Sequence, residues 1–296
     1  MKTVLVLGAN GQLGKCFQDL SAGHEDLDWL FMHSTEVDIT SGYDVQQLFN
    51  SKRIDYCINC AAYTNVEKAE SQTEKAFRIN AEAAKNLAEI CKKSNTVLFH
   101  FSTDYVFNGA AQMPYLESDI TGPLNVYGES KLKGEESIRE NANCYFIFRT
   151  SWLYSQFGHN FFKTILEKAG RGEELNITTA QQGTPTNANH LASIVLKLIK
   201  ERSTRFGTYH FSNKGETTWY GFAEEILKIL GNLDKVKLNR DNSYKTIAER
   251  PAYSVLNTAK VESTFNYSIS SWEDAVKELY DKHFAGINLH SASDIK

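Results

Sequence analysis

Tyr127 and Lys131 stand four residues apart in the stretch NVYGESKLKGEE, which is otherwise charged, glycine-flecked and poor in apolar residues. On a helix, positions i and i+4 share a face, so the phenol and the ammonium can converge. A nearby cation favours phenolate and lowers a tyrosine pKa from its reference of about 10, which makes the phenol usable as a general acid or base. Taken alone, the pair describes a solvated helix face equally well. It gains meaning from STDYVFNG earlier in the chain, where Ser102, Thr103 and Asp104 follow the apolar run TVLFHF. A hydroxyl at Thr103 can hold a carbonyl oxygen for protonation while hydride arrives at the carbon.

A third group lies near the amino terminus. GANGQLG places Gly8, Gly11 and Gly14 between the apolar run Val4 to Leu7 and a helix-like segment. Glycines there let the backbone turn tightly and approach a pyrophosphate, whose charge meets a helix N-terminus. A glycine-rich turn without a ligand is the plain alternative, but this one sits at the first strand–helix junction. The end of the second strand offers His33 and Ser34, neither an acid nor an arginine, so the 2′-substituent of a dinucleotide is not legible. Asp38 is placed either to meet the adenine side or to cap a helix start with Thr40.

These groups must be positioned by the elements between them. TVLVLG, DWLFMH, DYCINCAAY, TVLFHFSTDYVF and CYFIFRTSWLY read as strands, separated by the helix-like QLGKCFQDLSA, SGYDVQQLFNSK, EKAFRINAEAAKNLAEICKKS and VYGESKLKGEESIRE. Continuous apolar strands alternating with such helices predict an α/β fold, a doubly wound parallel sheet covered on both faces. Its ligand belongs beyond the carboxyl ends of the strands. After residue 150 the rhythm loosens, with helical patterns at NFFKTILEKAGRG, NHLASIVLKLIKE, YGFAEEILKIL and SSWEDAVKELYDKHF. The division expected is a dinucleotide-binding domain over 1–150, with 189–201 packing back on it, and a smaller substrate lobe over 151–296, ending in a frayed tail.

Composition excludes several classes. Of 296 residues, 42% are hydrophobic and 23% charged, ordinary for a folded soluble chain, and the net charge of −4 comes with no basic stripe, so nucleic acid is not expected. The first apolar run is too short for a signal peptide or membrane span, which predicts a cytoplasmic protein without a membrane partner. Five cysteines form an odd count without framework spacing. Cys57 and Cys60 make a C-x-x-C, but in a strand side chains three apart face opposite ways, which disfavours redox pairing. The eight histidines show no metal spacing and read as surface or core positions.

The ordered set GANGQLG, NCAAYTNVEKAE, STDYVFNG, PLNVYGESKLKGE, FRTSWLY, GHNF, QQGTPT and ERPAYSVLN resembles the dTDP-4-dehydrorhamnose reductase family of extended short-chain dehydrogenase/reductases, over nearly the whole chain. The resemblance implies a Rossmann-like fold and reduction of the 4-keto group of dTDP-4-dehydro-6-deoxy-L-mannose to dTDP-L-rhamnose. The reductant implied is NADPH, with NADH also open, and the partner is the nucleotide-sugar substrate, with a homodimer compatible. Tyr127 then matches the proton donor, Lys131 its partner and ribose holder, and Thr103 the hydroxyl on the reacting oxygen. Gly8, Asn10, Gly11, Gln12, Leu13, Gly14, Asp38, Ile39, Ala62, Tyr63, Thr64 and Phe101 match cofactor-lining positions. Asp104, Trp152, Asn160 and Arg250 match the substrate side, with Arg250 able to pair with a diphosphate. Two departures stand out: Ala180 replaces the acid that usually precedes Q-x-G-x-P-T, and Cys16 falls near where some relatives carry an acid for a divalent ion, so no metal is expected. The rival readings are a relative forming a 6-deoxy-talose or similar product, and a non-catalytic regulatory subunit of the same fold.

Overall fold

The computed structural model describes residues 1–243 and 245–286. Its frame is a parallel sheet of six strands, and its helices are α1 (Gln12–Ser21), α2 (Gly42–Ser51), α3 (Val66–Ser71), α4 (Thr73–Phe77), α5 (Ala83–Lys93), α6 (Val126–Asn141), α7 (Phe161–Gly170), α8 (Ala188–Lys200), α9 (Trp219–Ile229), α10 (Ala259–Phe265) and α11 (Trp272–His283). The strands are β1 (Lys2–Leu7), β2 (Leu27–Met32), β3 (Tyr56–Asn59), β4 (Val97–Thr103) and β5 (Tyr145–Thr150), the short β6 (Leu153–Tyr154), β7 (Leu175–Ile177), β8 (Gln182–Gly183) and β9 (Thr186–Asn187), then β10 (Gly207–His210), β11 (Thr217–Thr218) and β12 (Leu238–Arg240).

The main sheet runs β10-β5-β4-β3-β1-β2. Its order reverses direction at β1 and β3, and a crevice opens beyond the carboxyl ends at such a point. The strand pattern explains the two covered faces. Val4, Val6, Phe99 and Phe148 pack on one side with α1 and α8, through Phe17, Leu191 and Val195. Leu5, Leu7, Leu98 and Ile147 turn the other way, onto Val45, Leu87 and Ile138 of α2, α5 and α6. Cys57 joins the second layer and Cys60 packs against the first, as expected of residues three apart leaving a strand.

Two features depart from the sequence pattern. The sixth strand, β10, comes from beyond residue 150 and pairs with β5. The segment EKAFRINAEAAKNLAEICKKS, which reads as one long helix, is broken into α4, a π-helical turn at Arg78–Glu82, and α5. The turn seats the buried Asn80, whose side chain accepts from the Tyr63 amide at 2.9 Å and donates to the Tyr63 carbonyl at 3.0 Å and to Ser130 Oγ at 2.9 Å. A π-bulge commonly marks such a functional adjustment in a helix.

The remaining elements build a second core around Tyr154, Phe162, Phe222 and Trp272, from α7, α9 and α11. Three two-stranded ladders, β6 with β9, β7 with β12 and β8 with β11, connect its loops. Among the described residues no helix is long and apolar enough to cross a membrane. The tail expected to fray lies outside the described residues, apart from Gly286.

Candidate active site

The glycine turn is required by geometry. Gly8 has φ +72°, and a Cβ there would sit 2.6 Å from the Ala61 amide nitrogen; one at Gly14 would sit 2.6 Å from the Gly8 carbonyl. The turn delivers the chain to Gly11, the N-cap of α1, which has no capping side chain. By contrast α2, α6, α7, α8, α9 and α11 are each capped by a side-chain oxygen. The first amides of α1, at the glycine turn, are therefore left to meet an anion.

A cleft of about 450 Å³ opens beside this turn. Of the expected cofactor residues, Gly8, Asn10, Gly11, Asp38, Ile39 and Ala62 line it. So do Ser34 and Arg78, the latter brought there by the π-helical turn and not singled out in the sequence. Asp38 also accepts from the amide and hydroxyl of Thr40 at 2.9 and 2.8 Å, in the turn before α2, whose N-cap is Ser41. Leu13 and Phe101 turn their side chains into the core, and Thr64 is exposed beyond Tyr63. Gln12 reaches across to the second half of the chain, where its Oε1 accepts from Asn160 Nδ2 at 2.9 Å.

Thr103, Asp104 and Tyr127 meet at the end of β4. Thr103 Oγ1 donates to Asp104 Oδ1 at 3.0 Å and accepts from the Tyr105 amide at 3.2 Å. Tyr127 packs edge-on against Tyr105, with ring centroids 5.9 Å apart. The start of α6 is fixed by Asn125, which accepts from the Gly128 amide at 2.8 Å, and by Glu70, which accepts from the Val126 amide at 3.0 Å. The glycines that made this helix look weak are what let it lie so close. A Cβ at Gly128 would be 2.2 Å from the Tyr105 carbonyl, and one at Gly134 2.2 Å from the Asn80 carbonyl.

Besides Ile138, the buried face of α6 carries the polar Ser130, Lys131 and Glu135. Glu135 is held by Arg149 from β5, with Nη2 to Oε2 at 2.8 Å and Nε to Oε1 at 3.0 Å, and by Arg139 at 3.0 Å. Burial alone would raise its pKa; Arg149 reverses that and holds it below the usual range. Lys131 is pushed down to about 8 by burial, against the opposing charge of Glu135. Its Nζ rests 3.4 Å from Nε2 of His100.

One expectation needs correcting. Lys131 was expected to lower the Tyr127 pKa, yet among the protein's own groups the phenol stands pushed up to about 12, by burial first, with the Thr103 hydroxyl lowering it and Asp104 raising it. The reason is directional: Lys131 sits on the same helix face but its amine is turned to His100, while Tyr127 faces Thr103 and Asp104. Asp104 is itself raised to about 6, chiefly by burial and against the lowering effect of the Ser254 and Thr103 hydroxyls; its Oδ2 is buried and makes no hydrogen bond of ordinary geometry.

The other substrate-side residues expected from the sequence lie in the second half of the chain. Trp152 has φ +44°, a strained backbone for a bulky residue, and stacks on Trp219 with centroids 3.7 Å apart. Gly183 makes room for it, since a Cβ there would lie 2.7 Å from the Trp152 ring. Asn160 caps α7 and donates to the carbonyls of Ser155 and Phe157, so its side chain is spent on holding the loop and Gln12. Arg250 pairs with Glu67 of α3 at 2.8 Å. Next to it, the amide of Ile247 donates to Glu67 and the carbonyl of Glu249 accepts from Asn125, tying this segment to the helices of the first half.

A doubly wound sheet with an uncapped glycine turn at its switch point, and a tyrosine and lysine on a helix beside the fourth strand, defines a dinucleotide-binding protein of the short-chain dehydrogenase/reductase type. Comparison with known proteins narrows the class. The family model described as RmlD substrate binding domain matches residues 1–284. The dTDP-4-dehydrorhamnose reductase of Escherichia coli (strain K12) is 39% identical over 292 residues, covering 95% of this chain and 98% of that one. Among solved structures, the dTDP-4-dehydrorhamnose reductase of Bacillus anthracis in complex with NADP superposes with a TM-score of 0.91 at 36% identity, covering 95% of this chain and all of that one. An ortholog from Clostridium acetobutylicum gives 0.89 at 38%, covering 95% and 99%. The chain belongs to the dTDP-4-dehydrorhamnose reductase family.

Proposed function

We propose that the chain reduces the 4-keto group of dTDP-4-dehydro-6-deoxy-L-mannose, using NADPH, to give dTDP-L-rhamnose. The observation that carries this reading is the convergence of Thr103, Asp104 and Tyr127 at the carboxyl end of β4, on the same edge of the parallel sheet as the glycine turn that follows β1. Family membership and the NADP complex of the Bacillus anthracis relative support it.

The residues present fit the cofactor. The cradle at Gly8 and Gly14 has no space for a Cβ, and the uncapped start of α1 suits a pyrophosphate. Ser34 and Arg78 in the same cleft offer a hydroxyl and a cation to a 2′-phosphate, with no acid at positions 33 and 34 to repel it. When bound, the reduced nicotinamide supplies hydride to the carbonyl carbon. Tyr127 gives its proton to the carbonyl oxygen, and Thr103 turns its hydroxyl from Asp104 to hold that oxygen in place. Lys131, its amine turned to His100 and not to Tyr127, is the cation that would hold the nicotinamide ribose. Asp104 accepts from a sugar hydroxyl, and Trp152, locked by Trp219, forms a rigid wall for the ring. Arg250, held at the edge by Glu67, is placed for the diphosphate.

The test is consumption of NADPH and of NADH, measured separately with dTDP-4-dehydrorhamnose, with the product identified. Formation of dTDP-L-rhamnose is expected. A 6-deoxy-talose product would move the chain to a sister activity, and no consumption with intact cofactor binding would favour a regulatory subunit.

A further inference from the structure

His100 is buried in the middle of β4, and it touches two polar side chains, Asn59 of β3 and Lys131 of α6. Asn59 Nδ2 lies 3.2 Å from its Nδ1, and Lys131 Nζ lies 3.4 Å from its Nε2. A neutral imidazole has one donor nitrogen and one acceptor. The Asn59 amide cannot turn freely, because its Oδ1 accepts from the Ala61 amide at 3.2 Å. Its NH₂ therefore faces Nδ1, which must be the acceptor, and the ring proton falls on Nε2. That N–H points at Lys131. An ammonium has no lone pair to receive it, whereas a neutral amine does.

We propose that His100, oriented by Asn59, is a positioning residue for the reduction: it presents an N–H to Lys131 and so sets the pH above which the site loses its cation. The inference rests on the proposed reduction, with Tyr127 as proton donor and Lys131 as the cation of the same site. Burial and the facing Lys131 both keep the His100 ring neutral, which leaves the tautomer argument intact. The other groups around Lys131 are few. Glu135 on its own helix favours the cation, with its charge shared by Arg149 of β5 and by Arg139. Asp104, past the end of β4, acts on Tyr127 one turn away. The other flank presents uncharged Asn80 and Ala84 to the helix at Gly134. The sign follows: activity that needs the Lys131 cation is present at low pH and is lost as pH rises through the lysine pKa.

His100→Gln replaces the N–H with an amide whose oxygen can accept from an ammonium, so the Lys131 pKa should rise. Asn59→Leu does the same without touching Lys131, since His100 is then free to carry its proton on Nδ1 and offer Nε2 as acceptor. Lysine labelled with ¹³C at Cε, with the Lys131 signal assigned by its loss in Lys131→Met, reports the titration directly, independent of turnover. The expected midpoint is near 8 in the natural chain and about one unit higher in either folded variant, a tenfold gain in proton affinity, with the alkaline limb of kcat/KM moving alongside. Midpoints unchanged in both folded variants would overturn the proposal. Should the natural chain fail to reduce the keto sugar, the Lys131 titration still decides the His100 question separately.

Discussion

The two ends of the sheet carry similar residues and use them in opposite ways. At the amino end, a hollow of about 610 Å³ is lined by Lys2, Asp26, Lys52, Arg53, Asp55, Lys200 and Arg202. It is larger than the cleft of about 450 Å³ at the carboxyl end. Yet most of its charges answer one another: Lys2 with Asp55 at 2.6 Å, Lys52 with Asp28 at 2.7 Å, Lys200 with Asp26 at 3.4 Å. Asp28 is held below the usual carboxylate range by its hydrogen bond to Lys52. At the carboxyl end the charges are buried and out of balance, with Lys131 pushed down to about 8, Asp104 up to about 6 and Tyr127 up to about 12, in each case mainly by burial. Volume does not separate the two ends. What separates them is polar groups kept dry without full partners, an arrangement that costs stability and that functional sites retain.

Substitutions at the two ends should differ accordingly. The largest effect is expected at the glycine turn. Gly8→Ala combines a positive φ with a Cβ 2.6 Å from backbone, and strain of roughly 1–3 kcal/mol plus a displaced turn should reduce cofactor affinity by at least about 10²-fold in a fluorescence titration. An affinity within threefold of the natural chain would mean the turn does not hold the pyrophosphate.

A smaller effect, of defined sign, is expected at Asp104. Its folded pKa is raised, so the folded state binds the proton more tightly and its contribution to stability falls as pH rises from the unfolded value of about 4 through about 6. Asp104→Asn removes that penalty. Relative to the natural chain it should gain about 1–3 kcal/mol between pH 4 and pH 7 in urea unfolding, while losing turnover. A constant difference across that range would show that the carboxyl titrates normally. The smallest effect belongs to the amino end, where Lys52→Ala breaks an exposed pair with Asp28 and should change stability by less than about 1 kcal/mol, with unchanged kinetics. Any loss of turnover there would erase the contrast.

The sequence made the frame legible because apolar strands and intervening helices repeat in order. It also placed Gly8, Thr103 and Tyr127, whose neighbours along the chain announce a turn, a strand end and a helix. What it concealed depends on partners distant in the chain. The buried face of α6 reads as a solvated one, because the groups that satisfy Lys131 and Glu135, His100 and Arg149, come from β4 and β5. Arg78 and Asn80 were hidden by an unbroken helical pattern that the structure interrupts with a π-helical turn. β10 is only GTYH, too short to show a period. Ala180 illustrates the converse: the missing acid leaves no hole, since Thr178 and Asn242 bind the loop amides of Ala180 and Thr179 at 3.0 and 2.8 Å.

The account stands on Tyr127 as the group that hands a proton to the carbonyl oxygen. Its most direct test is Tyr127→Phe, measured for cofactor binding and for single-turnover oxidation of NADPH with dTDP-4-dehydrorhamnose. Cofactor affinity is expected to stay within a few-fold while the rate drops by roughly 10²–10⁴-fold. A rate equal to that of the natural chain would contradict the account.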